Sequence, residues 1–189
     1  MFWSLAPLIV ACIALAGLVG MCSARPNSPR DGVPPPFDAV AALQADAEAL
    51  PIPIRLPQVP SGWQANSGSR GGIDAGRTDA NGQRQRAVTA TVGYLAASKL
   101  YVSLTQSNAD EQPLVDSIHR SMYPTGAQDV DGVKWIVYEG GEDTEPVWTT
   151  RLDSQAGPAQ VAITGAGSTA DFRTLALATQ TQKPLPPGR

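Results

Sequence analysis

Val88-Thr89-Ala90-Thr91-Val92-Gly93-Tyr94 and, four residues further on, Lys99-Leu100-Tyr101-Val102-Ser103-Leu104-Thr105-Gln106 decide the fold class of this chain. Both stretches alternate with period two and are rich in β-branched and aromatic residues, and the short link between them suits a hairpin. The alternation returns in Val133-Lys134-Trp135-Ile136-Val137-Tyr138, preceded by Val130-Asp131-Gly132, and Asp-Gly is a dipeptide that two-residue hairpin turns favour. Residues 146–152 and 160–164 read as two more strands. Asp110 opens a helix that tolerates Pro113 in its first turn and carries Leu114, Val115, Ile118 and Met122 on one face. Ser168-Thr169-Ala170-Asp171 is a capping box, launching a last helix with Phe172, Leu175, Ala176 and Ala178 as its apolar stripe. The order is strand, strand, helix, four strands, helix. Hairpin-length links between strands predict a mainly antiparallel sheet with two packed helices, an α+β domain over residues 51–182.

Upstream, Pro51-Ile52-Pro53-Ile54-Arg55-Leu56-Pro57 alternates prolines with apolar residues, a pattern for an extended segment laid across a core edge. Residues 37–50 read as a short helix capped by Asp38, with Val40, Ala41, Leu43, Ala47 and Leu50 as a weak stripe. Prolines 26, 29, 34, 35 and 36 make the preceding stretch an extended spacer, so residues 25–50 form a Pro-rich linker and short helix. Residues 183–189 are expected to be a disordered tail.

Residues 2–24 contain no charged side chain. A bilayer core needs ~20 predominantly apolar residues in a helix, so residues 1–24 are expected to form a transmembrane anchor. A cleaved signal peptide fits less well, because residues 1–5 carry no basic side chain and the apolar run is long. Lipidation at Cys22 would need a small residue before it, where Met21 stands. Arg25 and Arg30 follow the anchor and nothing basic precedes it, which on the positive-inside rule alone puts the domain in the cytoplasm.

The net charge of −3, with both signs interspersed, gives no basic stripe for a phosphate backbone and argues against nucleic-acid binding. Neither of the two cysteines lies beyond Cys22, so the domain has no disulfide or thiolate metal site to build on. The single histidine, His119, excludes a histidine cluster and reads as a partly exposed helical residue. No metal, cofactor or catalytic residue is expected.

Leu56-Pro57-Gln58-Val59-Pro60-Ser61-Gly62-Trp63, Gly93-Tyr94, Tyr101 to Ser107, Val130 to Trp135, Thr164-Gly165 and Leu175-Ala176 together form a recognisable series. With the apolar N-terminal run, it resembles the actinobacterial domain of unknown function 4245, a family of single-pass membrane proteins, over nearly the whole chain. The resemblance implies a domain outside the cytoplasmic membrane and contributes no activity.

Gly165-Ala166-Gly167-Ser168-Thr169-Ala170 has the form of a dinucleotide fingerprint between a strand and a helix, but the second parallel strand and the later acidic residue of a Rossmann unit have no room before Arg189. A Gly turn into a capped helix is the better reading. The four acids of Glu139-Gly140-Gly141-Glu142-Asp143-Thr144-Glu145 match no calcium-loop spacing and read as a solvated hairpin tip. Arg70, Arg77, Arg84 and Arg86, with Asp74 and Asp79 in a Gly-rich stretch, read as a mobile mixed-charge loop. Most of the aromatic residues belong in the core, although a sheet face with several rings also suits an apolar groove. Trp63, Tyr94, Tyr101, Trp135 and Trp148 are therefore the candidate ligand-binding residues. The expected function is binding, of an apolar ligand or an envelope protein, by a membrane-tethered domain. The alternatives are a structural accessory subunit of a membrane complex and a carboxylate-dependent hydrolase.

Overall fold

Antiparallel pairing sets Val92 opposite Leu104 and Tyr94 opposite Val102, the register that the alternation predicts. The structure, a computed structural model, describes residues 37–188. The expected anchor and the proline spacer lie outside these residues. No helix among the described residues is long and apolar enough to cross a membrane.

Seven strands form one sheet: β1 (Gln64–Thr78), β2 (Arg84–Leu95), β3 (Tyr101–Ser107), β4 (Tyr123–Val130), β5 (Val133–Glu139), β6 (Val147–Leu152) and β7 (Ala159–Gly165). Their spatial order is β1-β2-β3-β7-β6-β5-β4, with every neighbouring pair antiparallel. Two meanders, β1 to β3 and β4 to β7, meet along β3 and β7, where Leu104 faces Ile163. Three helices complete the domain: α1 (Ala39–Ala49), α2 (Glu111–Ile118) and α3 (Thr169–Gln180).

The period-two pattern divides the apolar side chains between two cores. Leu43 of α1, Ile52, Ile54, Tyr94, Leu104, Trp135, Trp148, Ile163, and Phe172 and Leu175 of α3 share the larger one. On the opposite face Leu114 and Val115 of α2 pack with Ala75, Ala87, Tyr138, Val147 and Ala162. Each fully buried Leu or Phe contributes about 1.5–3 kcal/mol through apolar area removed from water. Local signals agree with this packing. Asp131 and Gly132 both take positive φ, 50° and 81°, as a type I′ turn requires between Val130 and Val133. Ser168 and Asp171 cap α3 reciprocally.

Four expectations need correction. The Gly-rich arginine stretch is not a loop: residues 64–78 pair with β2 as a long edge strand. Gly, Asn, Ser and Asp depress strand propensity, so the sequence pattern hides it. Larger neighbouring side chains compensate, with Phe37 lying over Gly68 and Thr89 beside Gly71. The helix placed with the linker packs as a working part of the domain, since Leu43 is fully buried in the larger core; the sheet thus carries three helices where two were expected. The helix after Asp110 stops at Ile118, and Met122 reaches the smaller core from beyond its end, past Ser121 at φ 62°. The tail is ordered through its described residues: the Leu185 N–H donates to Ile54 O at 2.7 Å and the Leu185 side chain packs on the larger core.

Candidate functional site

Four of the five candidate rings belong to the larger core. Trp135 is fully buried and donates its indole N–H to Gln180 Oε1 at 2.9 Å. Trp148 meets Phe172 edge-on at 5.3 Å between centroids. Trp63, half-buried, tilts against Tyr94 at 6.3 Å. Tyr94 is buried with its hydroxyl unpartnered, and burial pushes that phenol's pKa up. Tyr101 projects from the opposite face, where its ring covers Gly93 and its hydroxyl lies 3.2 Å from Ser67 Oγ. The structure thus brings Trp63 and Tyr94 together and keeps Tyr101 apart from both.

The clefts are lined by other residues. One, of about 1080 Å³, lies between the far end of β1 and α2 and is lined by Ile73, Asp74, Arg77, Arg84, Asp116 and Arg120 among others. Its charges are largely matched: Arg77 pairs with Asp110 at 3.1 Å and Arg84 with Asp74 at 3.3 Å. The Gly76 N–H, then Arg84, hold the Asp74 carboxyl below its usual range. These side chains are substantially exposed, so water and salt screen them.

A second cleft, of about 580 Å³, lies where the 153–156 loop faces the chain leaving α3. Arg55 lines it and is only 4% exposed. Its backbone is clamped by the buried Gln106 amide, which accepts from the Arg55 N–H at 2.7 Å and donates to Arg55 O at 2.9 Å. The side chain is pinned as firmly. Nε donates to Gln182 O at 3.1 Å and Nη2 to Asp153 O at 3.0 Å, while Nη1 is buried without a partner among the described residues. Burial pulls the Arg55 pKa below its ordinary value, and the Asp153 carboxylate works the other way. An arginine nevertheless stays protonated in proteins, so this is a held cation. The Asp153 carboxylate makes no direct ion pair with it: it is 84% exposed and lies 3.8 Å from Arg151 Nε. The sequence carried one signal for this residue, a lone charge within an otherwise apolar, proline-spaced segment.

Other motifs resolve into structure. The turn at Gly165 takes φ 139°, and a Cβ there would run into Tyr101 O, so the glycine is a packing requirement at the β3 and β7 seam. The Asp171 N–H at the start of α3 is taken by Ser168 Oγ, which accepts from it at 3.2 Å. His119 follows the last turn of α2, its N–H donating to Val115 O at 3.0 Å. No group of three or more metal-ligating side chains gathers among the described residues.

No curated protein and no solved structure matches the chain. A family model does match, over residues 1–179, and on that match the chain belongs to the family described as Protein of unknown function (DUF4245).

Proposed function

We propose that this chain is a single-pass membrane protein whose α+β domain works at the cell envelope by binding a ligand, outside the cytoplasmic membrane. The observation that carries the binding reading is the Arg55 guanidinium, held rigidly at a cleft with donors to spare. Burying such a charge is costly unless a partner compensates it. Preorganising a donor in this way lowers the ordering cost of binding. The tether rests on the uncharged run of residues 2–24, long enough to span a bilayer core of about 30 Å as a helix. An actinobacterial envelope is the setting that the sequence resemblance implies.

Two measurements test this reading. Alkaline phosphatase fused after Arg189 is active only if exported, so an active fusion in the membrane fraction is expected. An inactive fusion, with a cytoplasmic reporter active at the same point, would return the domain to the cytoplasm, as Arg25 and Arg30 suggest. Mass spectrometry of the full chain extracted from native membranes is expected to show a retained small molecule. Protein free of any such molecule in repeated preparations counts against binding.

A further inference from the structure

The geometry points to the Arg55 cleft as the binding site for a polar molecule bearing a single carboxylate. This deepens the binding function proposed above and rests on it.

Charge sets the ligand class. A guanidinium has five N–H donors in a planar fork that matches a carboxylate. Two of the Arg55 donors are spent on the carbonyls of Gln182 and Asp153, leaving both hydrogens of Nη1 and one of Nη2. The charged residues of the cleft are Arg55, Lys183 and Asp153, so it offers one net positive charge. That balance suits a monoanion, while the rim carboxylate of Asp153 disfavours a dianion such as phosphate. The remaining wall supplies the Gln155 amide and the Ser154 hydroxyl oxygen, whose proton is given to Gly157 O, while the Gln180 amide is held by Trp135 and Val130 O; this fits a small neutral polar body behind the charge. The cleft volume of about 580 Å³ lies in the range of small-molecule sites.

Access explains why Nη1 is covered. Residues 183–187 form the outer wall of the cleft, and the Leu185 N–H bond to Ile54 O ties that strap down. Because Nη1 is buried beneath this wall, a carboxylate can reach it only if the strap is displaced outward.

The test uses the full chain in mild detergent and three probes: N-acetyl-alanyl-alanine with a free carboxylate, the same dipeptide as its C-terminal amide, and inorganic phosphate. ¹⁵N-detected titration follows the Arg55 Nε–H and the amides of residues 154–156, 182, 183 and 185. The free acid is expected to move these signals saturably. The amide and phosphate should bind at least tenfold more weakly. Arg55→Lys keeps the charge but loses the fork and should weaken the acid at least tenfold, while Arg55→Gln should abolish its effect. A thermal melt of each variant checks that it folds, and wild type alone should gain melting temperature on adding the acid. Phosphate binding as well as the acid, the amide binding equally, or no saturable shift in wild type would each overturn the assignment. Acid binding that survives in a folded Arg55→Gln variant would remove the site and leave the binding function standing. If wild type shows no shift and native protein also carries no small molecule, both fall together.

Discussion

Tyr138 donates its hydroxyl to Glu111 Oε1 at 2.8 Å, joining β5 to the first turn of α2 across the smaller core. Burial first, then the Glu111 carboxylate, pushes the Tyr138 pKa up to about 12. In the unfolded chain the phenol titrates near ~10. The folded state therefore holds the proton more tightly, so the stability from this group is fully present below about pH 10 and is lost as the pH rises toward about 12. Tyr138→Phe removes the hydrogen bond and should cost about 0.5–1.5 kcal/mol at pH 8. It also removes the titration, so the gap between wild type and variant is expected to narrow above pH 10. Urea midpoints from pH 8 to 12 measure this, and a gap constant across the range would show that the phenol does not titrate with folding. At this same scale Arg55 was half visible in the sequence. Its isolation among prolines and apolar residues could be read, but its burial depends on the 153–156 loop and on the strap after α3, contacts that no local pattern encodes.

At the scale of elements, legibility follows how locally each structure is determined. The Asp131-Gly132 turn and the Ser168 cap were readable because their chemistry lies within four residues. β1 was not, because it becomes a strand through its partners: its glycines gain cover from Phe37, from side chains of β2 and, at Gly76, from Asp110 and Pro113. Two substitutions separate propensity from cover. A Cβ on Gly72 meets Ala87 O at an ordinary 3.8 Å and the far end of the Arg86 side chain at 3.1 Å, which can move into solvent at the cost of its exposed bond to Gly72 O. Gly72→Thr should therefore gain about 0.5–1 kcal/mol from better strand propensity and a less flexible unfolded chain. Gly68→Thr should lose about 1 kcal/mol or more, since its Cβ displaces the Phe37 ring and strips cover from the edge strand. Denaturant midpoints at unchanged slope give both values. If both substitutions shift the midpoint in the same direction, cover by Phe37 is not what stabilises β1.

For the whole domain, the decisive contact is the one least local in sequence. The sequence supplied the strands of both meanders except β1, but nothing in it states that β3 pairs with β7. That pairing brings Val102 to Gly165 and Ser107 to Gln160, joining chain segments separated by α2 and strands β4 to β6. Both cores cross the seam. The larger one links Val92 and Leu104 to Trp148 and Ile163, and the smaller one links Ala75 and Ala87 to Tyr138 and Val147 through α2. Opening either meander alone would expose half of two apolar layers, so the two should unfold as one unit. Native-state hydrogen exchange of the full chain tests this. The slowest amides of β2 and β3 and those of β6 and β7 are expected to share one opening free energy and one dependence on urea. β1, an edge strand rich in glycine, should exchange through smaller openings before the rest. Two separate plateaus, one for each meander, would mean that the β3 and β7 seam is a docking surface between independently folding halves. Pairing so distant in the chain also carries a large loop-closure cost before any contact forms. Refolding is therefore expected to be limited by the seam, and a seam substitution such as Ile163→Val should slow folding more than it speeds unfolding.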